Sequence, residues 1–261
     1  MPAPPLSNTF EGGSDGVAIT TGNSGGTSGD AFTGIDGTLS LYSNVSPAHG
    51  GMAMRIVDTA ASTRVRWNAL GSITTDVWMR AYLNLSALPV TNTAVIFKAQ
   101  VNAGTQCMAL LVNKTTGTVQ ALNAANGVIA SSLGSVSVPF GSWFRLEMRV
   151  LASATVGEIE WKWWSSPDSS GTPDDTVAVT GQALGVDYGE ALFGLTTSAP
   201  ATPFTIYYDD IAVSSTGWIG PSAQQFRPDA DVTTTGWTTT PLWSKVDEAT
   251  ADGTVITATA S

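Results

Sequence analysis

Glu158, Glu160 and Lys162 alternate in the run Glu-Ile-Glu-Trp-Lys. On a strand, all three side chains would share one face. Alternating acids can serve retaining glycoside hydrolysis, which needs a nucleophile and an acid/base about 5–5.5 Å apart. Arg145, Glu147 and Arg149 alternate in the same way within Trp143–Leu151. If the two strands are neighbours, these groups form a cross-strand charge ladder. A solvated charged face, without catalysis, is the expectation.

A second chemistry lies in Trp78, Arg80, Tyr82, Trp143 and Arg145. Strand periodicity places these side chains opposite the apolar ones. Aromatic rings with arginines suit the stacking and hydrogen bonding of a sugar, and they suit a protein–protein interface equally well. Other candidates carry less. His49 is the sole histidine and sits in the turn Pro47-Ala-His-Gly-Gly. With no nucleophile motif beside it, a catalytic triad has no support, and a ring satisfied locally is expected. Cys107 is the sole cysteine, in an apolar run, which excludes an intramolecular disulfide and a cysteine-based zinc site. The glycine-rich stretch Gly22–Gly29 lacks the Gly-Lys-Ser/Thr ending of a phosphate loop.

Strands must position these groups. Period-two alternation marks 38–43, 52–57, 63–67, 76–85, 94–101, 107–113, 143–151, 158–164, 176–180, 191–196 and 204–213, with a weaker signal at 17–21. In 76–85, Val77, Met79, Ala81, Leu83 and Leu85 oppose Trp78, Arg80, Tyr82 and Asn84. In 143–151, Phe144, Leu146, Met148 and Val150 oppose Trp143, Arg145, Glu147 and Arg149. With 27 glycines and 13 prolines, long helices are excluded. Many short strands predict a two-sheet antiparallel sandwich or jelly roll.

Composition narrows the function classes. The 261 residues carry 11 basic and 21 acidic side chains, a net charge of −10, with 43% hydrophobic residues and nine tryptophans. Nothing resembles a basic run, so nucleic acid is not an expected partner. No apolar run approaches the ~18 residues of a membrane span, and membrane insertion is not expected. Met-Pro-Ala-Pro-Pro-Leu-Ser-Asn has neither a charged nor an apolar leader region, so no signal peptide is read there.

Several motifs occur in a telling order: Phe10-Glu-Gly-Gly13, Gly22-Asn-Ser-Gly-Gly-Thr-Ser-Gly-Asp-Ala-Phe32, His49-Gly-Gly-Met-Ala-Met-Arg55, Gly141-Ser-Trp-Phe-Arg145, and Tyr207-Tyr-Asp-Asp-Ile-Ala-Val213 followed by Gly217-Trp-Ile-Gly-Pro221. Over about residues 6–221 this order resembles the concanavalin A-like, laminin G-like jelly-roll domains of minor tail and other virion proteins of phages infecting actinobacteria. The resemblance implies a lectin-like sandwich at 1–221 and a C-terminal arm or incomplete β-module at 222–261. It also implies one structural Ca2+, held by Glu11 near the first strand and by Asp209 or Asp210 in the closing one; calcium takes six to eight oxygen ligands. Jelly-roll glucanases carry the pattern Glu-x-Asp-x-Glu on a strand, where this chain has Lys162 in the third position.

The implied function is a non-enzymatic virion protein, at the tail or particle surface, that adheres to host cell-envelope polysaccharide or braces other virion proteins. The alternatives are a capsid or tail decoration protein without a glycan ligand, and a cell-wall glycoside hydrolase. Trp237, Leu242, Trp243 and Val246 make the 222–261 segment apolar enough to need burial. Docking on the particle through a homo-oligomeric interface is the expectation for it.

Overall fold

The computed structural model describes residues 3–57, 62–68, 70, 73, 76–89, 94–101, 104–185, 187–195 and 205–222. The expected docking residues Trp237, Leu242, Trp243 and Val246 lie outside the described residues, as does the rest of 223–261.

Fourteen strands are described. In chain order they are β1 (Leu6–Asn8), β2 (Gly34–Asp36), β3 (Ser40–Ser43), β4 (Ala53–Val57), β5 (Thr63–Trp67), β6 (Asp76–Leu85), β7 (Ala94–Gln100), β8 (Gln106–Val112), β9 (Val119–Leu122), β10 (Trp143–Leu151), β11 (Gly157–Trp164), β12 (Asp175–Gln182), β13 (Glu190–Leu195) and β14 (Thr205–Ser214). One 3-10 turn, Ala130–Ser132, is the only helical element among the described residues. The strands form two antiparallel sheets. The larger runs β12-β11-β10-β6-β14-β4-β3, with β1 also on β14, and the smaller runs β2-β5-β13-β7-β8-β9. This is the expected all-β jelly-roll sandwich.

The alternation read from the sequence sets the faces. Phe144, Leu146, Met148 and Val150 of β10, and Val77, Met79, Ala81, Leu83 and Leu85 of β6, are fully buried in the core. From the opposite sheet, β5 and β13 contribute Trp67 and Phe193, which meet edge to face with ring centroids 5.9 Å apart. Phe32 and Phe97 extend that aromatic chain at 5.1 and 5.3 Å. Such tilted contacts suit the ring quadrupoles. Tyr208 crosses between the sheets, and its hydroxyl donates to the Ile96 carbonyl at 2.9 Å.

Three strands were not foreseen. β1 and β2 are only three residues long, too short to show a period. All four side chains of β9 are buried, so its pattern does not alternate. At 17–21 the weak signal corresponds to a single bridge, Ala18 to Leu41.

β14 is central. Its first half pairs with β4 and its second half with β1, while β6 lies along its other side. The β6 register shifts between Asp209 and Ala212, so β14 carries a bulge there. Asp210 sits in the bulge with φ +43°, a left-handed conformation that aspartate tolerates better than most residues.

Replacing Tyr208 by Phe should lower stability by about 1–2 kcal/mol, because it leaves a buried carbonyl without its donor. Urea unfolding measures this. An unchanged midpoint would show that the inter-sheet hydrogen bond contributes nothing.

Candidate functional site

The outer face of the larger sheet is a grid of side chains set by register. One row, from β4 to β10, is Arg55, Tyr207, Asn84 and Trp143. The next is Asp209, Tyr82, Arg145 and Trp164. A third is Ala212, Arg80, Glu147 and Lys162, and a fourth Ser214, Trp78, Arg149 and Glu160. All five expected face residues therefore lie on one surface. Their exposure differs from the expectation of an open aromatic face. Tyr82 is 0% exposed, Arg145 1% and Arg80 6%, whereas Trp78 and Trp143 are half-buried.

Three segments roof the middle rows. The first is residues 48–52. Asp209 Oδ2 accepts from the backbone N–H of Ala48 and His49, at 2.9 and 3.1 Å. Glu11 accepts from the N–H of Gly51 and Met52, at 2.9 and 3.1 Å. Gly50 is required between them: its φ is +58°, and a Cβ there would stand 2.3 Å from Glu11 Oε1. The second roof is the loop after β11. Arg145 Nη1 donates to the Pro167 carbonyl at 2.5 Å, and Trp164 Nε1 to the Gly171 carbonyl at 2.8 Å. The third is residues 217–221. Glu147 Oε2 accepts from the N–H of Ile219 and Gly220, and Arg80 donates to the Gly220 carbonyl at 3.0 Å.

His49 links the first two roofs. Its Nδ1 is hydrogen-bonded to Asp210 and its Nε2 lies 3.0 Å from Asp168, while the ring stands edge-on to Tyr82 at 4.8 Å. The Tyr82 hydroxyl donates to the same Asp168 oxygen at 2.9 Å. The ring is thus satisfied by carboxylates far along the chain, not locally as the turn suggested. The bulge explains Asp210. Strict alternation would turn its side chain into the core, and the extra residue turns it outward instead. The hydrogen bond to Asp210 raises the His49 pKa to about 9, helped by both carboxylate charges and opposed by burial. Burial, reinforced by the charge of Asp210, pushes Asp209 well above the ordinary carboxylate range, against its backbone donors.

The expected calcium ligands Glu11 and Asp209 flank the same loop, yet their oxygens are turned to backbone N–H groups and Asp210 to the His49 ring. With these oxygens engaged by N–H groups, the residues as folded do not offer Ca2+ a set of free oxygen ligands. Among the described residues no cluster of three or more His, Cys, Asp or Glu side chains is arranged for a metal.

The charge ladder is present. β10 and β11 are neighbours, Arg149 pairs with Asp76 and Glu158 at 2.7 and 3.0 Å, and Lys162 with Glu160 at 3.0 Å. Beside it lies a cleft of about 340 Å³, lined by Arg145, Glu147, Lys162, Trp164, Trp218 and the 170–173 loop. The Arg145 guanidinium lies 4.0 Å from the centre of the Trp164 ring, and Lys162 Nζ lies 4.0 Å from that of Trp218. Arg145 Nε is 2.9 Å from Glu147 Oε1. Trp164 and Trp218 were not singled out from sequence. The motif Gly217-Trp-Ile-Gly-Pro221 was visible, but it reads as a boundary until the segment is seen folded over β10 and β11.

No family model and no curated protein matches this sequence. Among solved structures, the chain is similar to the cellulose induced protein Cip1, with a TM-score of 0.52 and 16% identity over 83% of this chain and 100% of that one. It also aligns with Trypanosoma rangeli sialidase (TM-score 0.45, 11% identity, 82% of this chain and 31% of that chain). A third is basic winged bean lectin with Tn-antigen (TM-score 0.42, 11% identity, 63% of this chain and 87% of that one). The likeness to Cip1 is one of fold, a two-sheet antiparallel jelly-roll sandwich.

Two outcomes are expected. The raised pKa of His49 means that its contribution to stability is complete below about pH 6.5 and is lost as pH rises through about 9. His49→Gln should flatten stability across that window and cost about 1–2 kcal/mol at pH 6, after allowance for solvent screening. Urea unfolding at a series of pH values checks it; a parallel pH profile in the variant would refute the clasp. Thermal unfolding in calcium and in EDTA should coincide, and a clear rise of Tm with calcium would show that the Glu11 and Asp209 oxygens rearrange around the ion.

Proposed function

We propose that this domain binds glycan, without catalysis, on the outer face of its larger sheet. The cleft between Trp164 and Trp218 carries the reading. Two indoles, buried Trp164 and half-buried Trp218, line a groove of ligand size together with the Arg145–Glu147 pair and Lys162. Sugars present apolar C–H faces and hydroxyl edges, and tryptophan with charged hydrogen-bonding neighbours complements both. The absence of catalysis is inferred from the carboxylates. The common route of glycoside hydrolysis uses two of them across one bond. Of the side chains lining this cleft, Glu147 is the single carboxylate, and it is committed to Arg145 and to two backbone N–H groups. Glu158 and Glu160 are paired with cations on the neighbouring ladder.

The finer reading rests on the ordered motifs alone. It places the domain in a phage particle, as a minor tail or surface protein that meets host cell-envelope polysaccharide, assembled with other virion proteins and with copies of itself. A decoration protein without a glycan ligand is the competing role in that setting.

Titration of the purified protein with neutral cell-wall oligosaccharides tests the cleft. Binding should saturate, and Trp218→Ala should weaken it at least ten-fold, about 1.4 kcal/mol, with an unchanged fold by circular dichroism. Undiminished binding by Trp218→Ala would remove the cleft from the function. Absence of binding by the parent protein would favour the decoration role.

A further inference from the structure

Beyond that cleft, the row Arg55, Tyr207, Asn84 and Trp143 stands on the same sheet face. All four side chains are half-buried, in contrast to the buried row beside them. Trp143 and Tyr207 incline toward each other at 59°, with ring centroids 6.4 Å apart. Asn84 lies between them in register and offers both a donor and an acceptor. At about 4.8 Å per strand the row spans roughly 15 Å, room for a sugar ring and its substituents.

Arg55 is the informative member. The described residues include six arginines, at positions 55, 64, 66, 80, 145 and 149. Arg64 and Arg66 pair with Asp36, Arg145 with Glu147, and Arg149 with Asp76 and Glu158, while Arg80 donates to two carbonyls. Among the described residues Arg55 has neither an ion-pair nor a hydrogen-bond partner, and its Nε is buried. A half-desolvated guanidinium left unmatched, in a chain of net charge −10, is costly unless something else supplies the anion. A planar fork of this kind recognises carboxylate and phosphate oxygens alike.

We propose that this row is a second saccharide subsite, specific for a sugar that carries an anionic group, carboxylate or phosphate. Arg55 pairs with the anion, Trp143 and Tyr207 stack on the ring, and Asn84 bonds its hydroxyls. The subsite is separate from the Trp164–Trp218 cleft and does not require it.

Tryptophan indole N–H NMR of the full chain tests this with three probes: glucuronate, glucose 6-phosphate and glucose. The Trp143 resonance, assigned with Trp143→Phe, should respond saturably to an anionic sugar at concentrations at least ten-fold below glucose. The tighter of the two anions identifies the preferred group. Arg55→Gln should abolish the preference, and Trp218→Ala should leave it intact. If Arg55→Gln does not fold, Tyr207→Ala should weaken the anionic sugar at least ten-fold. Equal response to all three sugars, no response to either anion, or a preference that survives Arg55→Gln overturns the proposal. None of these results depends on neutral oligosaccharide binding at Trp218, so the two sites fail or stand separately.

Discussion

Two of the three roofs over the outer face depend on one interaction, a carboxylate that receives backbone N–H groups from a loop. Asp209 receives those of Ala48 and His49, Glu11 those of Gly51 and Met52, and Glu147 those of Ile219 and Gly220. Away from this face, Asp175 holds Ser135 and Val136 in the same way. Buried backbone donors must be satisfied, and a carboxylate satisfies two at once with charge-assisted bonds. Charged residues make up only 12% of the chain, and four of the acidic ones fix loops in this way.

The bulge in β14 makes the largest of these arrangements possible. Without it, only one of the two adjacent aspartates could reach the outer face. With it, Asp209 holds the backbone of the 48–52 loop while Asp210 holds the ring of His49, and the ring passes the contact on to Asp168 and Tyr82. Buried ionic groups of this sort are weak contributors to net stability, because desolvation offsets their attraction. Their consequence here is conformational. They tie the loops to fixed points on the sheet, and the 217–221 segment held by Glu147 forms part of the cleft beside Trp164.

Much of the sandwich was legible in the sequence because apolar alternation is a direct readout of a half-buried strand. β5, β6 and β10 have the limits that their patterns suggested, and the core and outer faces of β6 and β10 are as read. The chemistry of the outer face was less legible. Alternation tells which way Tyr82 and Arg145 point, but not that loops more than twenty residues away cover them. It also assumes one residue per step, so it places Asp210 wrongly at a bulge. The adjacent Asp-Asp in an apolar strand was the available clue, since an acid turned into that core would have been unpaired. Arg55 gave none: that it has no partner among the described residues shows only once the strands around it are folded.

β14 has a further consequence, for the order in which the chain can assemble. Leu6 pairs with Val213, and Ile56 with Ile206. The centre of the larger sheet is therefore built from segments about two hundred and one hundred and fifty residues apart. Contacts of such separation carry a large loop-closure cost before any burial rewards them, and they slow folding. As the chain leaves the ribosome, β1, β4 and β6 have no shared neighbour until β14 follows, and they hold open edges in the meantime. Completion of this sheet is a late event in synthesis, and the surface that carries both proposed saccharide sites comes into being only with it.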